Sequence, residues 1–242
     1  MMLMQFSKRV CYNHGGVIRR TLVDYSSETL LSPDNLLRAA SKFEALPLIR
    51  MQTTPTRRKA AVLIPLCEVS DRVSLLFTLR TSSLRSHKGQ VSFPGGMQDV
   101  MDKTLKATAL RETREELGVL PSQVKLWGQG QPIVARGETS VVPVIGTIEK
   151  SVPLNELNVN ASEVQMVFTV PIEELARPEK VRFTQFRSGF TTPCFFAGDM
   201  RIWGLTGIIT HAFLRCFIPG NAYQPRIRFV SPVRTIAKGA SE

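Results

Sequence analysis

Apolar and polar positions along the chain follow two periods. Residues 60–67 (Ala-Ala-Val-Leu-Ile-Pro-Leu-Cys) form a near-continuous apolar run, as in a strand covered on both faces. Residues 73–79 repeat that character after Ser70-Asp71, so the two runs are predicted to pair across a turn. Further strands are predicted over 123–128, 141–148 and 164–170. Helical spacing appears after Ser32-Pro33-Asp34-Asn35, where Leu36, Leu37, Ala39 and Ala40 follow a cap signal. It returns over 104–117, closed by Gly118, and over 206–217. Pro171 opens a short helical segment through Leu175. Strands mixed with a few helices predict an α+β fold, a mixed β-sheet with helices packed on it. The ordered domain is expected to run from about Arg58 to residue 228. A helix and linker over 28–57 would precede it, and a basic tail over 229–242 would follow.

Charge changes the picture at the ends. The 242 residues carry a formal net charge of +11. Residues 1–23 contribute +4 and residues 224–242 contribute +3, which leaves +4 for the 200 residues between. A nucleic-acid binder driven by that charge would be expected to interleave aromatics with a basic patch, and no such pattern is visible. The first acid is Asp24, and the segment before it mixes Arg and Lys with Met, Leu, Phe and Val. That composition over 1–27 is that of a mitochondrial transit peptide, which predicts a matrix location. Apolar runs fall short of the ~20 residues a membrane span needs, so stable membrane insertion is not expected. Cys11, Cys67, Cys194 and Cys216 are far apart and form no C-x-x-C pair, which argues against a zinc knuckle or a disulfide framework.

The chemistry concentrates between Phe93 and Val119. Phe93-Pro94-Gly95-Gly96 is followed by Asp99 and Asp102, then by Arg111-Glu112-Thr113-Arg114-Glu115-Glu116-Leu117-Gly118. On a helix Glu112, Glu115 and Glu116 share an arc of about 100°. Leu110, Thr113 and Leu117 fall on the neighbouring, core-facing arc. Three like charges on one arc repel, and they lie toward the helix end that disfavours anions. Arg111 and Arg114 offset part of this, and a divalent cation would offset more. Oxygen-only ligands point to Mg²⁺ or Mn²⁺ and on to phosphate substrates. Paired glycines allow a backbone to approach such a helix closely.

This segment resembles the Nudix box, G-x5-E-x7-R-E-U-x-E-E-x-G-U, through Gly96, Arg111, Glu112, Glu115, Glu116, Gly118 and Val119. The spacer is one residue longer than that pattern, its internal acid is Asp102, and Thr113 replaces an aliphatic. Upstream, residues 75–96 carry Leu75-Leu76, Thr78, Arg80, Arg85, Gly89 and Phe93-Pro94-Gly95-Gly96. They are similar to the signature of the coenzyme A diphosphatase branch, whose box shares the longer spacer and the Asp. The resemblance continues through Trp203-Gly204-Leu205-Thr206 and Tyr223-Gln224-Pro225-Arg226, and extends to the mitochondrial animal members of that branch.

The resemblance implies a Nudix-type α/β/α sandwich and metal-dependent hydrolysis of the diphosphate of coenzyme A and acyl-coenzyme A. The products would be (acyl-)phosphopantetheine and adenosine 3′,5′-bisphosphate. Glu112, Glu115 and Glu116 would hold Mg²⁺ or Mn²⁺, and Glu115 or Glu112 would act as base. Glu163, just before a predicted strand, is the expected further acid from outside the box. Arg80, Arg85 and Lys88, with the Gly95-Gly96 turn, would meet a substrate carrying about four negative charges. Phe93, Phe183, Phe186, Phe190, Phe195 and Phe196 could stack adenine or line an acyl channel, but with Trp203 they are read as core. A small-molecule substrate and a monomeric chain are expected. Two alternatives stand beside this reading. One is a Nudix hydrolase of another nucleoside diphosphate derivative, such as a nucleotide sugar, dinucleotide or oxidised nucleotide. The other is a non-catalytic nucleic-acid binder.

Overall fold

The computed structural model describes residues 23–50, 58–82, 89–134, 139–185, 191–223 and 225. The segment read as a transit peptide therefore lies almost wholly outside the described residues, as do Arg85, Lys88, Phe186, Phe190 and the basic C-terminal tail.

Two short helices open the fold, α1 (Ser27–Leu30) and α2 (Pro33–Glu44). Ser32 caps α2 by accepting the Asn35 N–H at 3.2 Å, with Pro33 at the first helical position. The chain then runs through β1 (Ile49–Arg50), β2 (Arg58–Val69), β3 (Arg72–Arg80), β4 (Val91–Ser92), β5 (Gly95–Met97), α3 (Leu105–Leu117), β6 (Val124–Gln129), β7 (Ile133–Val134), β8 (Thr139–Ile148) and β9 (Val164–Pro171). After α4 (Ile172–Leu175) a separate antiparallel sheet forms from β10 (Val181–Gln185), β11 (Thr191–Ala197) and β12 (Met200–Ile202). Helix α5 (Gly204–Phe217) and a single 3-10 turn (Pro219–Asn221) come last.

The main sheet is mixed. β2 pairs with β8 in parallel from Arg58↔Thr139 to Leu66↔Thr147, and β1 with β7 in parallel. The other pairs are antiparallel. Ser70 and Asp71 both take positive φ (48° and 58°), the pattern of a two-residue turn, and set the register Val69↔Arg72.

β2 and β3 pair only from Leu66↔Leu75 to Val69↔Arg72. Beyond that they part. The gap is filled by residues 91–97, which pair with β3 through β4 (Thr78↔Ser92) and with β2 through β5 (Val62↔Gly95). The Leu63 N–H donates to Pro94 O between the two, at 2.9 Å. This seam places the Gly-Gly turn in the middle of the sheet.

Alternation sorts the core into two layers. Ile64, Leu66, Leu75 and Phe77 face α2 and α5, whereas Ala61, Leu63, Cys67 and Leu76 face α3. Both faces are covered, which is why β2 reads as an unbroken apolar run, and the expected α/β/α sandwich is the observed one. Cys67, Cys194 and Cys216 are buried free thiols. Burial pushes Cys67 up to about 12.

Helix α2, ahead of the Nudix-type domain expected from about Arg58, packs into the core. Leu36, Ala39, Ala40 and Phe43 of α2 belong to the same core as α5, and the Phe43 ring meets Phe213 edge-on at 6.2 Å. Gly128 and Gly130 lack side chains where Ala40 and Phe43 press on them. Helix α2 is therefore structural cover for the sheet. The small sheet β10–β12 was not predicted. Trp203, read as core, is 39% exposed at the start of α5, whereas Phe93 and Phe195 are core and Phe93 stacks on Phe77 at 4.8 Å.

Two predictions follow from this packing. A chain starting at residue 51 lacks α1, α2 and β1 and will lose cooperative thermal unfolding, while Phe43→Ala in the full chain will cost about 3–5 kcal/mol in denaturant titration. The second concerns His211 on α5, whose Nδ1 lies 3.0 Å from the Tyr223 hydroxyl. Burial first, and Arg215 second, lower its pKa from 6.5 to about 4. Between those values the unfolded chain takes up a proton that the folded one refuses. Stability is thus unaffected above pH 6.5 and falls as the pH drops toward 4, by about 3 kcal/mol at most. His211→Gln should flatten that part of the pH–stability curve; an unchanged curve would refute the assignment.

Candidate active site

Helix α3 is fixed at both ends by its own sequence. Thr104 caps its start, accepting the Ala107 N–H at 3.1 Å. Gly118 ends it at φ 74°, donating to Arg114 O at 2.8 Å. The buried stripe is Thr108, Ala109, Thr113, Glu116 and Leu117. Thr113 fits there because its hydroxyl donates to Ala109 O at 2.7 Å. Leu110 is only partly buried. The carboxylate and apolar stripes therefore overlap, and Glu116 lies on both.

The three glutamates have different surroundings. Glu116 is 1% exposed. Its Oε2 accepts the Gly95 N–H at 3.3 Å and its Oε1 the Arg80 Nη1 at 3.4 Å. Burial pushes its pKa up to about 8, against the opposing pull of Arg80 and the Gly95 N–H. Glu112 lies against Gly96: a Cβ there would come within 2.5 Å of its Cδ. Its pKa is also raised, by burial before all else. Glu115 is the outer member, its side chain 46% exposed and paired with Arg111 Nη1 at 2.8 Å.

Arg111 is the hub of this cluster. Its Nε reaches Asp102 Oδ1 at 3.1 Å, and its Nη2 reaches Asp102 Oδ2, Met97 O and Glu112 Oε1, each at 2.9 Å. The Arg111 hydrogen bonds hold Asp102 down at about 2. Asp102 Oδ2 also accepts the Asp99 N–H at 2.9 Å, and Asp99 Oδ1 the Met101 N–H at 2.9 Å, so the spacer after the Gly-Gly turn is tied to the helix. Sequence reasoning gave Arg111 only a screening role; its adjacency to Glu112 was legible, its bond to Asp102 nine residues away was not.

Glu163 joins the cluster from the other side. Its main-chain O accepts the Thr81 N–H at 3.0 Å, just past the end of β3. Its charge adds to the upward shifts of both Glu112 and Glu116. The β3–β9 register shifts beside it: Leu79 opposes Met166 and Arg80 opposes Val164, so β9 carries one extra residue there. Arg80, Gly95, Gly96, Glu112, Glu115, Glu116 and Glu163 are thus gathered at one end of the β2–β3 seam. Arg85 and Lys88 lie outside the described residues.

A match to a family model for the Nudix domain covers residues 56–188. The chain belongs to the Nudix family. Among similar proteins, the mitochondrial coenzyme A diphosphatase NUDT8 of Homo sapiens is 42% identical over 183 residues, covering 74% of this chain and 76% of that one. Its Mus musculus counterpart is 40% identical over 74% of this chain and 85% of that protein. Nudix hydrolase 3 of Caenorhabditis elegans is 33% identical over 85% of this chain and 94% of its own length.

Nudix hydrolases use divalent metals, and the residues here fit one. Among the described residues no three acidic, imidazole or thiol groups stand placed to hold a metal ion together. Glu112 and Glu115 share Arg111, and Glu116 is turned to Arg80. The donor set is nonetheless all oxygen, and two of its members, their pKa values raised by burial first and by neighbouring carboxylates second to that, would be eased by added positive charge. A hard divalent cation supplies that charge.

The two glycines of the Nudix turn should behave differently. A Cβ on Gly95 (φ 150°) would meet Ala61 O at 2.3 Å and Val62 Cα at 2.6 Å, both main-chain atoms of β2. Gly95→Ala should lower the unfolding midpoint by several degrees. The three atoms nearest to a Cβ on Gly96 all belong to the movable carboxylate end of Glu112. Gly96→Ala should keep the fold and lose turnover at least tenfold; equal thermal losses in the two variants would contradict the geometry.

Proposed function

We propose that this Nudix hydrolase cleaves the diphosphate of coenzyme A and acyl-coenzyme A in the mitochondrion, with Mg²⁺ or Mn²⁺, releasing (acyl-)4′-phosphopantetheine and adenosine 3′,5′-bisphosphate. The carrying observation is the 40–42% identity, over three quarters of the chain, to two proteins named as mitochondrial coenzyme A diphosphatases. The acid-poor, basic first segment supports the compartment.

In this reading Glu112, Glu115 and Glu116 hold the metal. When bound, the metal polarises the diphosphate and lowers the pKa of the attacking water. The protein's own groups do the rest. Glu163, or Glu115 or Glu112, accepts the proton that the water gives up. One P–O bond forms from that water and the bridging P–O bond breaks, the electron pair leaving with the departing phosphate. Arg80, already at the rim of the cluster, shares its charge between Glu116 and an incoming phosphate oxygen. Arg85 and Lys88 extend the same attraction along the substrate. Gly95 lies against β2 with its N–H on Glu116, and Gly96 leaves room for the Glu112 carboxylate, so the turn serves the substrate through the two carboxylates it seats.

Glu116→Gln removes the charge and keeps the shape of a group that is already desolvated. It should therefore retain the unfolding midpoint within about 2 °C and reduce kcat at least 10²-fold with coenzyme A and Mg²⁺. Products identified by mass spectrometry from coenzyme A, an acyl-coenzyme A, ADP-ribose and NADH, side by side, test the substrate class. Faster turnover of ADP-ribose or NADH than of any coenzyme A ester would replace this proposal with the broader nucleoside-diphosphate reading.

A further inference from the structure

The approach of Glu163 to the α3 carboxylates is an electrostatic problem. It stands near Glu112 and Glu116 and like charges push it outward, yet it sits on a loop, the least constrained kind of segment. Something must hold it in.

Asn160 makes that connection with every polar group it has. Its N–H donates to Glu116 O at 2.9 Å, satisfying a carbonyl of the last turn of α3. Its main-chain O accepts the N–H groups of Glu163 at 3.0 Å and Val164 at 2.9 Å, closing the loop onto the start of β9. Its side-chain Oδ1 accepts the Ser162 N–H at 3.1 Å and the Ser162 hydroxyl at 2.6 Å. Its Nδ2 donates to Glu163 Oε1 at 3.4 Å. The amide orientation follows from chemistry. A backbone N–H can only donate, so the atom facing Ser162 is the oxygen and the NH₂ group faces the carboxylate.

We propose that Asn160 is a positioning residue for catalysis: it registers the Glu163 carboxylate against Glu112 and Glu116 by binding the end of α3 with its backbone and Glu163 with its amide. Only a side chain with both an acceptor and a donor does this. Asp at 160 keeps the Ser162 acceptor but loses the donor, and it adds a further negative charge beside Glu163. Ala loses both. The role rests on the proposal that Glu163 takes part in the reaction, and it predicts an effect that passes through that residue.

The test is a double-mutant cycle in the full chain, with coenzyme A and Mg²⁺, using Asn160→Asp, Asn160→Ala, Glu163→Ala and both doubles. Asn160→Asp and Asn160→Ala should each lower kcat by about 10–100-fold, as losses of a group that orients a reacting one do, with KM changed less than threefold. In the Glu163→Ala background the same substitutions should cost less than about threefold, because no carboxylate remains to be held. Unfolding midpoints of all variants are measured alongside. Equal costs in both backgrounds, or a kcat loss that tracks the fall in midpoint, would make Asn160 a purely structural loop residue and overturn the proposal. Glu163→Ala with undiminished kcat would instead remove Glu163 from the reaction. Glu163→Ala impaired but Asn160→Asp and Asn160→Ala at wild-type kcat would leave Glu163 in place and refute Asn160 alone.

Discussion

A carboxylate kept out of water is the constraint from which the rest of this molecule follows. Glu116 has almost no exposed surface, and its charge is met by one guanidinium and one backbone N–H. Removing a partner from such a buried group typically costs about 3–5 kcal/mol, so its surroundings have little freedom to change. The N–H must come from a main chain lying directly beneath the helix. That requires residues without side chains at Gly95 and Gly96, and a sheet that opens to admit them. The parting of β2 and β3, the bridge of residues 91–97 and the capped ends of α3 all serve this one contact.

Two clamps hold the helix over the seam. At the front, Arg111 ties Glu112 and Glu115 to Asp102 and to Met97 O, so the spacer after the Gly-Gly turn is bound to the helix it precedes. At the back, the 158–164 loop docks on the last turn of α3, and Gly118 has no room for a side chain beside Asn158. The front clamp neutralises charge, whereas the back clamp brings a further carboxylate in against repulsion. The cluster thus carries more negative than positive charge, and a cation relieves the imbalance.

Much of this was legible because local chemistry decided it. Thr104 and Gly118 bracket α3 as a cap and a left-handed stop, and both act so. Ser70-Asp71 marks the hairpin turn it forms. The burial of Glu116 was also written in the spacing, since Ala109, Thr113 and Glu116 stand at i, i+4 and i+7, but a charged residue is read as exposed by default. Strands β4 and β5 are two and three residues long and flank a proline, too short to show a period. The β10–β12 sheet escaped notice because Arg182, Thr184 and Arg201 interrupt its apolar positions. Helix α2 was recognised, but its membership in the core depends on contacts with α5 and β6, distant in sequence. The Asp102–Arg111 bond is likewise set by loop geometry and not by any local preference.

The seam between β2 and β3 has a consequence for how such an enzyme can diversify. The turn that seats the carboxylates is itself part of the sheet's hydrogen-bond ladder, paired on one side with Val62 and on the other, three residues earlier, with Thr78. Carboxylate cluster and scaffold are one continuous weave, and neither can drift without unravelling the other. Novelty in what is cleaved must then be acquired at the periphery, by grafting or reshaping segments that no ladder contains, while the hydrolytic centre is inherited intact.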